Sequence, residues 1–301
     1  MNFIEKIPIP ISGLILALIS LGTILEGVNP IFKYLFGSIG IILLILLIIK
    51  AMKYPQKIKN DFKNPVIVSS SGTFSMSLMI LSTYFIPYTP TFAYALWILG
   101  ICLHILLMIY FTYNFIIHKF NLNEVYPTYW IVYVGITMAA ITSHSHNIEE
   151  IGFIFFLIGF SAMLITLPLI IYRYMKNKNI PEMNKPLICI FTALYSILIV
   201  GYTNTSTNIS IPFISILYSL SCIFYIFSLY KLIKYINIKF YPSFSAFTFP
   251  FVISATATKQ ISQIAQNSII NSILIVEIII AVILTAYVLI RYLKLLKIDY
   301  K

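Results

Sequence analysis

Charged side chains are scarce in this sequence: Asp, Glu, Lys and Arg make up 10% of its 301 residues, and apolar residues make up 60%. A soluble domain carries about 25% charged residues, so this chain cannot build a water-exposed surface. Uncharged runs of about 20 residues, the length needed to cross a bilayer as a helix, recur along the sequence. The composition therefore predicts an all-α polytopic membrane protein, with residues 1–301 forming a single transmembrane domain.

Cysteine is also scarce, and the sequence contains no recognisable catalytic motif. Cys102, Cys189 and Cys222 lie singly in apolar runs without CxxC spacing, which is typical of small buried or lipid-facing side chains. The chain has no nucleophile and base motif, Gly-rich phosphate loop or metal signature. We therefore expect no enzyme activity, no catalytic residue, no cofactor and no metal site.

Ionisable residues inside the apolar runs are few, and each is a functional candidate because a bilayer makes such residues expensive. Glu277 lies within ILIVEIIIAVIL and is either a proton or ion site or a group near an interface or a subunit contact. His104 has no acidic or metal-ligating neighbour in the sequence, which favours a core histidine. His144 and His146 precede Glu149 in a loop and form only a weak metal pattern.

Polar, proline and glycine breaks divide the apolar sequence into ten candidate spans. An even number of spans places both termini on the same side of the membrane. The predicted spans cover residues 9–26, 31–52, 65–86, 91–117, 127–144, 149–173, 186–203, 211–235, 242–264 and 269–293.

Basic residues are distributed unequally between the two sides that these spans define. Every Lys and Arg falls in one alternate set of termini and loops, except Lys33 and Lys259, which fall in the opposite set. Because Lys and Arg near span ends stay in the cytoplasm, we expect a plasma-membrane protein with both termini cytoplasmic. This topology accounts for the formal charge of +11, so no nucleic-acid partner is needed to explain it.

A proline repeat and a repeated difference in composition predict how the spans are arranged. Each odd-numbered span begins beside a proline, and the intervals of 56 to 62 residues predict five related helical hairpins. Odd-numbered spans carry small and hydroxyl residues, as in SSSGTFSMS, whereas the second span reads IGIILLILLII. Such residues either allow close helix packing or wet a pore, and their alternation favours a central pore with odd helices inside and even helices outside. The prolines are Pro8, Pro65, Pro127, Pro186 and Pro242.

The ninth span contains the sharpest candidate site. Ser245, Phe249, Val252 and Thr256 are spaced i, i+4, i+7 and i+11, so they would share one helical face. Pro250 cannot donate a backbone hydrogen bond, so we expect a helix kink there. A kink that turns Phe249 toward a pore axis would form an apolar constriction, which can gate a channel; core packing is the alternative role. The other pore-lining candidates are Ser12, Ser71, Thr73, Tyr133, Thr137, Thr192 and Ser196.

The ordered set of motifs resembles the tellurite-resistance/dicarboxylate transporter family, which includes bacterial TehA proteins and the slow anion channels of plant guard cells. The motifs are PIPISG, NPVIVSSSGTF, YPTYWIVYVGITMAA and AFTFPFVISATAT, and they cover nearly the whole chain. The resemblance implies five helical hairpins around a pore in each subunit of a homotrimer. It also implies that Phe249, by its place in AFTFP, is the gate.

These observations favour passive conduction of small monovalent anions such as chloride or nitrate across the lipid bilayer. The alternative within the same family is a transporter or exporter of C4-dicarboxylate, sulfite or tellurite. A non-conducting membrane scaffold or sensor is a third hypothesis, although the hydroxyl-rich odd spans argue against it.

Overall fold

The computed structural model describes residues 3–297, and the regular secondary structure of this part of the chain is entirely helical. The two termini and Lys301, which the predicted topology places in the cytoplasm, lie outside the described residues. The α-helices are α1 (Phe3–Lys6), α2 (Ile11–Leu25), α3 (Ile31–Lys53), α4 (Pro55–Asp61), α5 (Pro65–Phe85), α6 (Pro90–Phe111), α7 (Thr128–Tyr133), α8 (Thr137–Ser143), α9 (Glu149–Lys176), α10 (Phe191–Thr205), α11 (Ile211–Tyr235), α12 (Phe249–Ala265) and α13 (Ser268–Lys297).

Short helical turns of other types extend several of these helices. A π-helix over Thr112–Ile117 continues α6, and 3-10 helices cover Leu122–Glu124 and His144–His146. Two further 3-10 helices, Glu182–Ile190 and Pro242–Phe247, lead into α10 and α12. The seventh and ninth predicted spans therefore each combine a 3-10 helix with an α-helix.

The predicted all-α membrane fold is confirmed. Within residues 3–297, seven helical segments are long and apolar enough to cross a membrane, and they correspond to the second, third, fourth, sixth, seventh, eighth and tenth predicted spans. The first span is shorter, with 15 residues in α2. The fifth span is broken between α7 and α8, and α12 in the ninth span has 17 residues. The count of ten crossings stays a prediction.

Burial alternates along the chain as the composition predicts. The apolar windows of α5 and of the Glu182–Thr205 segment are 72% and 94% buried, whereas those of the even-numbered spans are only 28 to 33% buried. Every residue of α2 except Thr23 is buried as well. The outer helices expose large apolar side chains, which is the surface that lipid requires.

The helices pack as five hairpins around an inner ring. Each odd-numbered span packs against the next even-numbered one, giving the pairs α2 with α3, α5 with α6, α8 with α9, α10 with α11, and α12 with α13. The inner segments then close on themselves: α2 contacts α5, α5 contacts α7 and α8, α8 contacts α10, α10 contacts α12, and α12 contacts α2. The odd spans therefore form the inside of the molecule and the even spans the outside.

Local sequence explains where helices begin and how closely they approach. The side chain of Asn64 accepts hydrogen bonds from the first amides of α5 at 2.9 and 3.2 Å, and Pro65 follows it. A Cβ at Gly100 of α6 would lie 3.0 Å from the carbonyl oxygen of Ser75, so glycine permits the close contact with α5. One turn later, the ring nitrogens of His104 lie 2.7 Å from Ser75 Oγ and 3.0 Å from the carbonyl oxygen of Val132. His104 thus joins three helices, as expected of a core histidine.

Candidate functional site

An inner cavity of about 60 Å³ lies at the end of the ring where the odd spans begin. All five inner segments contribute to its wall, and no ionisable side chain lines it. Three of its lining residues lie within two positions of one of the repeated prolines, at the start of an odd span: Pro10, Leu187 and Ser243. The polar groups in the wall are Ser70, Thr73, Ser243, Ser245 and the indole of Trp130.

An outer cavity of about 220 Å³ lies further along the same helices. The five inner segments line this cavity too, through residues nearer the opposite end of each odd span. Its wall is more polar than that of the inner cavity and includes one ionisable residue, Lys259. The lining residues are Ser20, Thr23, Ile24, Ile80, Met138, Val200, Asn204, Ile253, Thr256, Lys259, Gln260 and Gln263.

A thin apolar barrier separates the two cavities. On α12, Phe249 lines the inner cavity and Ile253, one turn later, lines the outer one. The same step occurs on α5 from Met76 to Ile80. Four residues of helix rise about 6 Å, so along α5 and α12 the barrier is about one helical turn thick, whereas on α2 the nearest lining residues are Gly13 and Ser20, seven residues apart. The corresponding step on the fifth span runs from Val134 to Met138, and on the seventh span a three-residue step runs from Ile197 to Val200.

A break in the backbone positions Phe249 at this barrier. The 3-10 helix ends at Phe247 and α12 begins at Phe249, while Thr248 between them has φ −111° and ψ −89°, outside the helical region. The hydroxyl of Thr248 lies 2.7 Å from the carbonyl oxygen of Ser245 and 3.3 Å from that of Gly13 on α2. Phe249 is therefore the first residue of a helix whose start is held by a neighbouring helix.

The structure corrects the expected helix kink at Pro250. Pro250 lies in the first turn of α12, where its missing N–H removes no intrahelical hydrogen bond. The regular backbone is interrupted at Thr248 instead, two residues earlier. Phe249 is thus placed by the start of a new helix and not by a bend within a continuous one.

This interruption also changes which residues share a face with Phe249. The spacing i, i+4, i+7 and i+11 holds only from Phe249 onward, where it selects Ile253, Thr256 and Gln260, all of which line the outer cavity. Val252, which the sequence placed on this face, is buried and lines neither cavity. Counting from Ser245 misplaced it because the preceding 3-10 helix has fewer residues per turn than an α-helix.

The cavities bring together only part of the predicted set of pore-lining residues. Thr73, Ser245, Phe249 and Pro250 line the inner cavity, and Thr256 lines the outer one. These residues come from the third and ninth spans, so the two cavities join positions that are far apart in the sequence.

The other predicted pore residues of the inner segments contact neighbouring helices. Hydrogen bonds of 2.7 to 2.8 Å join Ser12 to α5, Tyr133 to the π-helix after α6, and Ser196 to α11. Thr137 and Thr192 are buried, line neither cavity, and have hydroxyls without a partner within residues 3–297. The hydroxyls of Ser12, Tyr133 and Ser196 therefore join helices to one another and do not line a cavity.

Ser71 faces away from the ring. It lines a groove of about 600 Å³ between α3, α5 and α6, together with apolar side chains such as Leu47, Phe74 and Leu107. The groove lies on the outer side of the ring and is lined mainly by apolar side chains, so Ser71 lies apart from both cavities.

Glu277 on α13 also lies outside both cavities. Its side chain is buried, and its Oε1 accepts a hydrogen bond of 3.2 Å from Ser254 on α12. Its Oε2 has no partner within the described part of the chain. Glu277 is therefore behind a helix that lines the cavities, on the side away from them.

The two histidines of the HxH motif have different partners. Nδ1 of His144 lies 2.8 Å from Oε1 of Glu149, and Nε2 of His146 lies 2.9 Å from Oγ of Ser82. Partial burial lowers the pKa of His146, because the charged imidazolium loses hydration. Within residues 3–297, no group of three His, Cys, Asp or Glu side chains is placed to hold a metal ion.

The outer cavity contains residues that the sequence did not single out as a site. In the sequence, Lys259 contributes only to the prediction of topology, and no motif marks Ser20, Asn204 or Gln260 as part of a site. An α-helical count that starts at Phe249 reaches Gln260, so that residue could have been found from the sequence. Ser20 and Asn204 required knowledge of which faces of α2 and α10 turn toward the ring axis.

Comparisons with known proteins agree with this architecture. The protein family described as voltage-dependent anion channel, SLAC1, matches residues 7–293. A curated relative, the uncharacterized transporter MJ0762 of Methanocaldococcus jannaschii, is 25% identical over 267 residues, which cover 80% of this chain and 78% of that protein. The resemblance inferred from the ordered motifs is therefore confirmed. With nearly its whole length matched, this chain belongs to the SLAC1 family of membrane anion channels and transporters.

Proposed function

We propose that this protein conducts small monovalent anions, such as chloride or nitrate, passively along the axis of the inner ring. The observation that carries the proposal is the pair of cavities, lined by all five inner segments and separated by one turn of apolar side chains. No carboxylate lines either cavity, and Lys259 is the one ionisable residue in the two walls. A permeating anion therefore meets no fixed negative charge in the walls of this route.

Weak polarity in the inner cavity suits conduction better than tight binding. The hydroxyls of Thr73 and Ser245 offer hydrogen bonds, but the wall carries no Lys or Arg that would hold an anion strongly. Rapid conduction requires binding that is strong enough for entry and weak enough for release. The many Lys and Arg residues of the predicted cytoplasmic side would concentrate anions at the inner mouth.

Phe249 is the proposed gate. Its side chain is 5% exposed and lies on the inner side of the apolar barrier. An apolar constriction blocks a hydrated ion both sterically and by excluding water. Because Phe249 follows the irregular residue Thr248, a small change at that break would move its ring relative to the axis.

Currents from purified protein in planar bilayers or liposomes test the proposal. A chloride gradient is imposed, and the chloride on one side is then replaced by nitrate or gluconate. The reversal potential is expected to follow the permeant anion, and the current is expected to be ohmic. A reversal potential that follows the cation rejects anion selectivity. No anion current from either the wild type or Phe249→Ala rejects conduction.

One observation favours a second candidate, the coupled transport or export of C4-dicarboxylate, sulfite or tellurite. Glu277 is a buried carboxyl with one oxygen unpartnered within residues 3–297, next to a helix that lines the cavities. Such a group could carry a proton during a transport cycle. Flux that depends on a proton gradient and is abolished in Glu277→Gln would support this candidate over the channel.

We also propose plasma-membrane placement with both termini cytoplasmic, and assembly as a homotrimer with a pathway in each subunit. The topology is supported by the Lys and Arg residues other than Lys33 and Lys259, because all of them fall in the termini and loops on one predicted side of the membrane. Cysteine labelling of loop residues from either side of the membrane tests the orientation. Native mass spectrometry of the detergent-purified protein tests the trimer.

A further inference from the structure

Lys259 lies in the wall of the outer cavity without an acidic partner among the described residues. Its Nζ donates to the carbonyl oxygen of Ile24 at 3.3 Å, which leaves two of its three N–H groups available. The acidic residue of the adjacent loop, Glu26, is paired with Lys33 at 2.9 Å instead. The outer cavity therefore carries an uncompensated positive charge.

Carboxamide groups next to Lys259 are held in fixed positions. Nε2 of Gln260 donates to Oδ1 of Asn204 at 2.6 Å, and Nδ2 of Asn204 donates to the carbonyl oxygen of Ile141 at 2.8 Å. Oε1 of Gln260 accepts a hydrogen bond from the hydroxyl of Thr203. Because a carboxamide nitrogen carries two hydrogens, each of these groups retains one N–H that can donate to a ligand.

Ser20 supplies a second and independent indication of a ligand. It lines the outer cavity from α2 and is 5% exposed, yet its Oγ has no hydrogen-bond partner within residues 3–297. A buried hydroxyl left without a partner is costly. A hydrogen-bond acceptor inside the cavity would remove that cost.

We propose that the outer cavity is a binding site for one small monovalent anion, with Lys259 as its counter-charge and Ser20, Asn204 and Gln260 as its hydrogen-bond donors. The inference rests on the proposed function, since the site lies on the proposed route of conduction. At roughly 30 Å³ per water molecule, a cavity of about 220 Å³ holds such an anion with part of its hydration.

The charge of the site selects the class of anion. A monovalent anion is neutralised by Lys259, whereas a dicarboxylate would bring one negative charge that no cation in the wall compensates. The site therefore favours chloride or nitrate over doubly charged anions. It also gives the outer end of the route a saturable step that the inner cavity, with no ionisable residue, does not provide.

The test compares Lys259→Gln with Lys33→Gln. Both variants remove one positive charge from the same end of the molecule, but Lys33 does not line the cavity. Thermal unfolding of the full-length protein in detergent is measured in sodium nitrate and in sodium gluconate at equal ionic strength. Nitrate is expected to raise the midpoint for the wild type and Lys33→Gln, and not for Lys259→Gln.

Flux in liposomes supplies the second readout. Losing a charge-assisted hydrogen bond is expected to raise the half-saturating nitrate concentration by about tenfold or more in Lys259→Gln, and Lys259→Arg is expected to restore most of the affinity. Ser20→Ala removes a single oxygen atom and is expected to raise the half-saturating nitrate concentration by about two- to fivefold. If Lys259→Gln fails to fold, the half-saturating nitrate concentration and the nitrate-dependent thermal midpoint of Ser20→Ala decide whether the site exists.

The outcomes separate this inference from the proposed function. Nitrate stabilisation that depends on Lys259, in a protein without anion current, would retain the site and reject conduction. The opposite outcome is anion current from Lys259→Gln with the half-saturating nitrate concentration and the nitrate stabilisation both unchanged. This outcome would overturn the site and leave conduction intact. If Lys259→Gln does not fold, the same outcome in Ser20→Ala would overturn the site.

Discussion

Phe249 and Ile253 lie one turn apart on the same face of α12, yet they line different cavities. A helix rises about 6 Å over four residues, so along α12 the closed part of the route is about that long. A barrier of this thickness depends on a few side chains, and Phe249 is the aromatic one among the inner-cavity residues at this step, which also include Met76, Val134 and Ile197. Truncation of this one residue should therefore join the two cavities.

Phe249→Ala is expected to raise the anion current by at least about tenfold, which corresponds to about 1.4 kcal/mol off the barrier. The reason is that removing the ring opens the apolar constriction and admits water. The measurement is chloride current per reconstituted protein in liposomes.

Phe251→Ala is the matched control for this prediction. Phe251 is buried, packs edge-on against Tyr225 at 5.5 Å between ring centroids, and lines neither cavity. Its truncation is expected to destabilise the fold by about 3–5 kcal/mol without raising the current. Equal currents in the wild type and Phe249→Ala would remove Phe249 as the gate.

Pro250→Ala is expected to change little, because Pro250 lies in the first turn of α12 and does not kink a continuous helix. The current should stay within about twofold, and the free energy of unfolding within about 1 kcal/mol. By contrast, Thr248→Val removes the hydroxyl that donates to Ser245 or Gly13 and is expected to cost about 1–2 kcal/mol. Chemical denaturation followed by circular dichroism measures both changes; a larger effect at Pro250 than at Thr248 would contradict the assigned break.

Glu277→Gln is expected to leave the anion current within about twofold of the wild type. Glu277 lies outside both cavities, and the amide oxygen of Gln can still accept the hydrogen bond from Ser254. The measurement is current with and without a proton gradient. Loss of flux, or dependence of the wild-type flux on that gradient, would favour the coupled transporter.

His146 is expected to make the protein less stable in mild acid. Burial disfavours the imidazolium and lowers the pKa of His146, so the unfolded chain takes up this proton more readily than the folded protein does. Its contribution to stability is therefore complete above the unfolded pKa of about 6.5 and is lost as the pH falls below it.

The measurement is the thermal midpoint of detergent-purified protein at several pH values between about 7.5 and 5. His146→Gln should show a smaller decrease than the wild type over this range. His118→Gln, a change at an exposed histidine, should retain the full wild-type decrease. An identical decrease in all three proteins would show that His146 does not contribute.

The architecture followed from patterns that a sequence displays directly. Prolines at near-constant spacing marked the hairpins, and the contrast between SSSGTFSMS and IGIILLILLII separated inner from outer helices. Both signals are local, because an outer helix must be apolar on the lipid side whatever its neighbours are. The break of the fifth span between Tyr133 and Thr137 and the shortness of α2 were not predicted, since hydropathy does not report where inner helices are interrupted.

The site was less predictable, for geometric reasons. Phe249, a predicted lining residue, lines the inner cavity, whereas Val252, predicted on the same face, lines neither cavity, and Ile253, which was not predicted, lines the outer one. The count across this region failed because a 3-10 helix precedes α12 and the two are separated by Thr248, whose hydroxyl contacts α2.

Composition over stretches of about 20 residues was enough to predict the membrane class, the hairpin repeat and the charge asymmetry. Which hydroxyls face the axis depends instead on how the helices pack. Ser245 and Ser196 look alike in the sequence, yet one lines a cavity and the other contacts α11. Helix packing likewise brings Lys259, Asn204 and Ser20 together, because the wall of the outer cavity is built from helices that are distant in the chain.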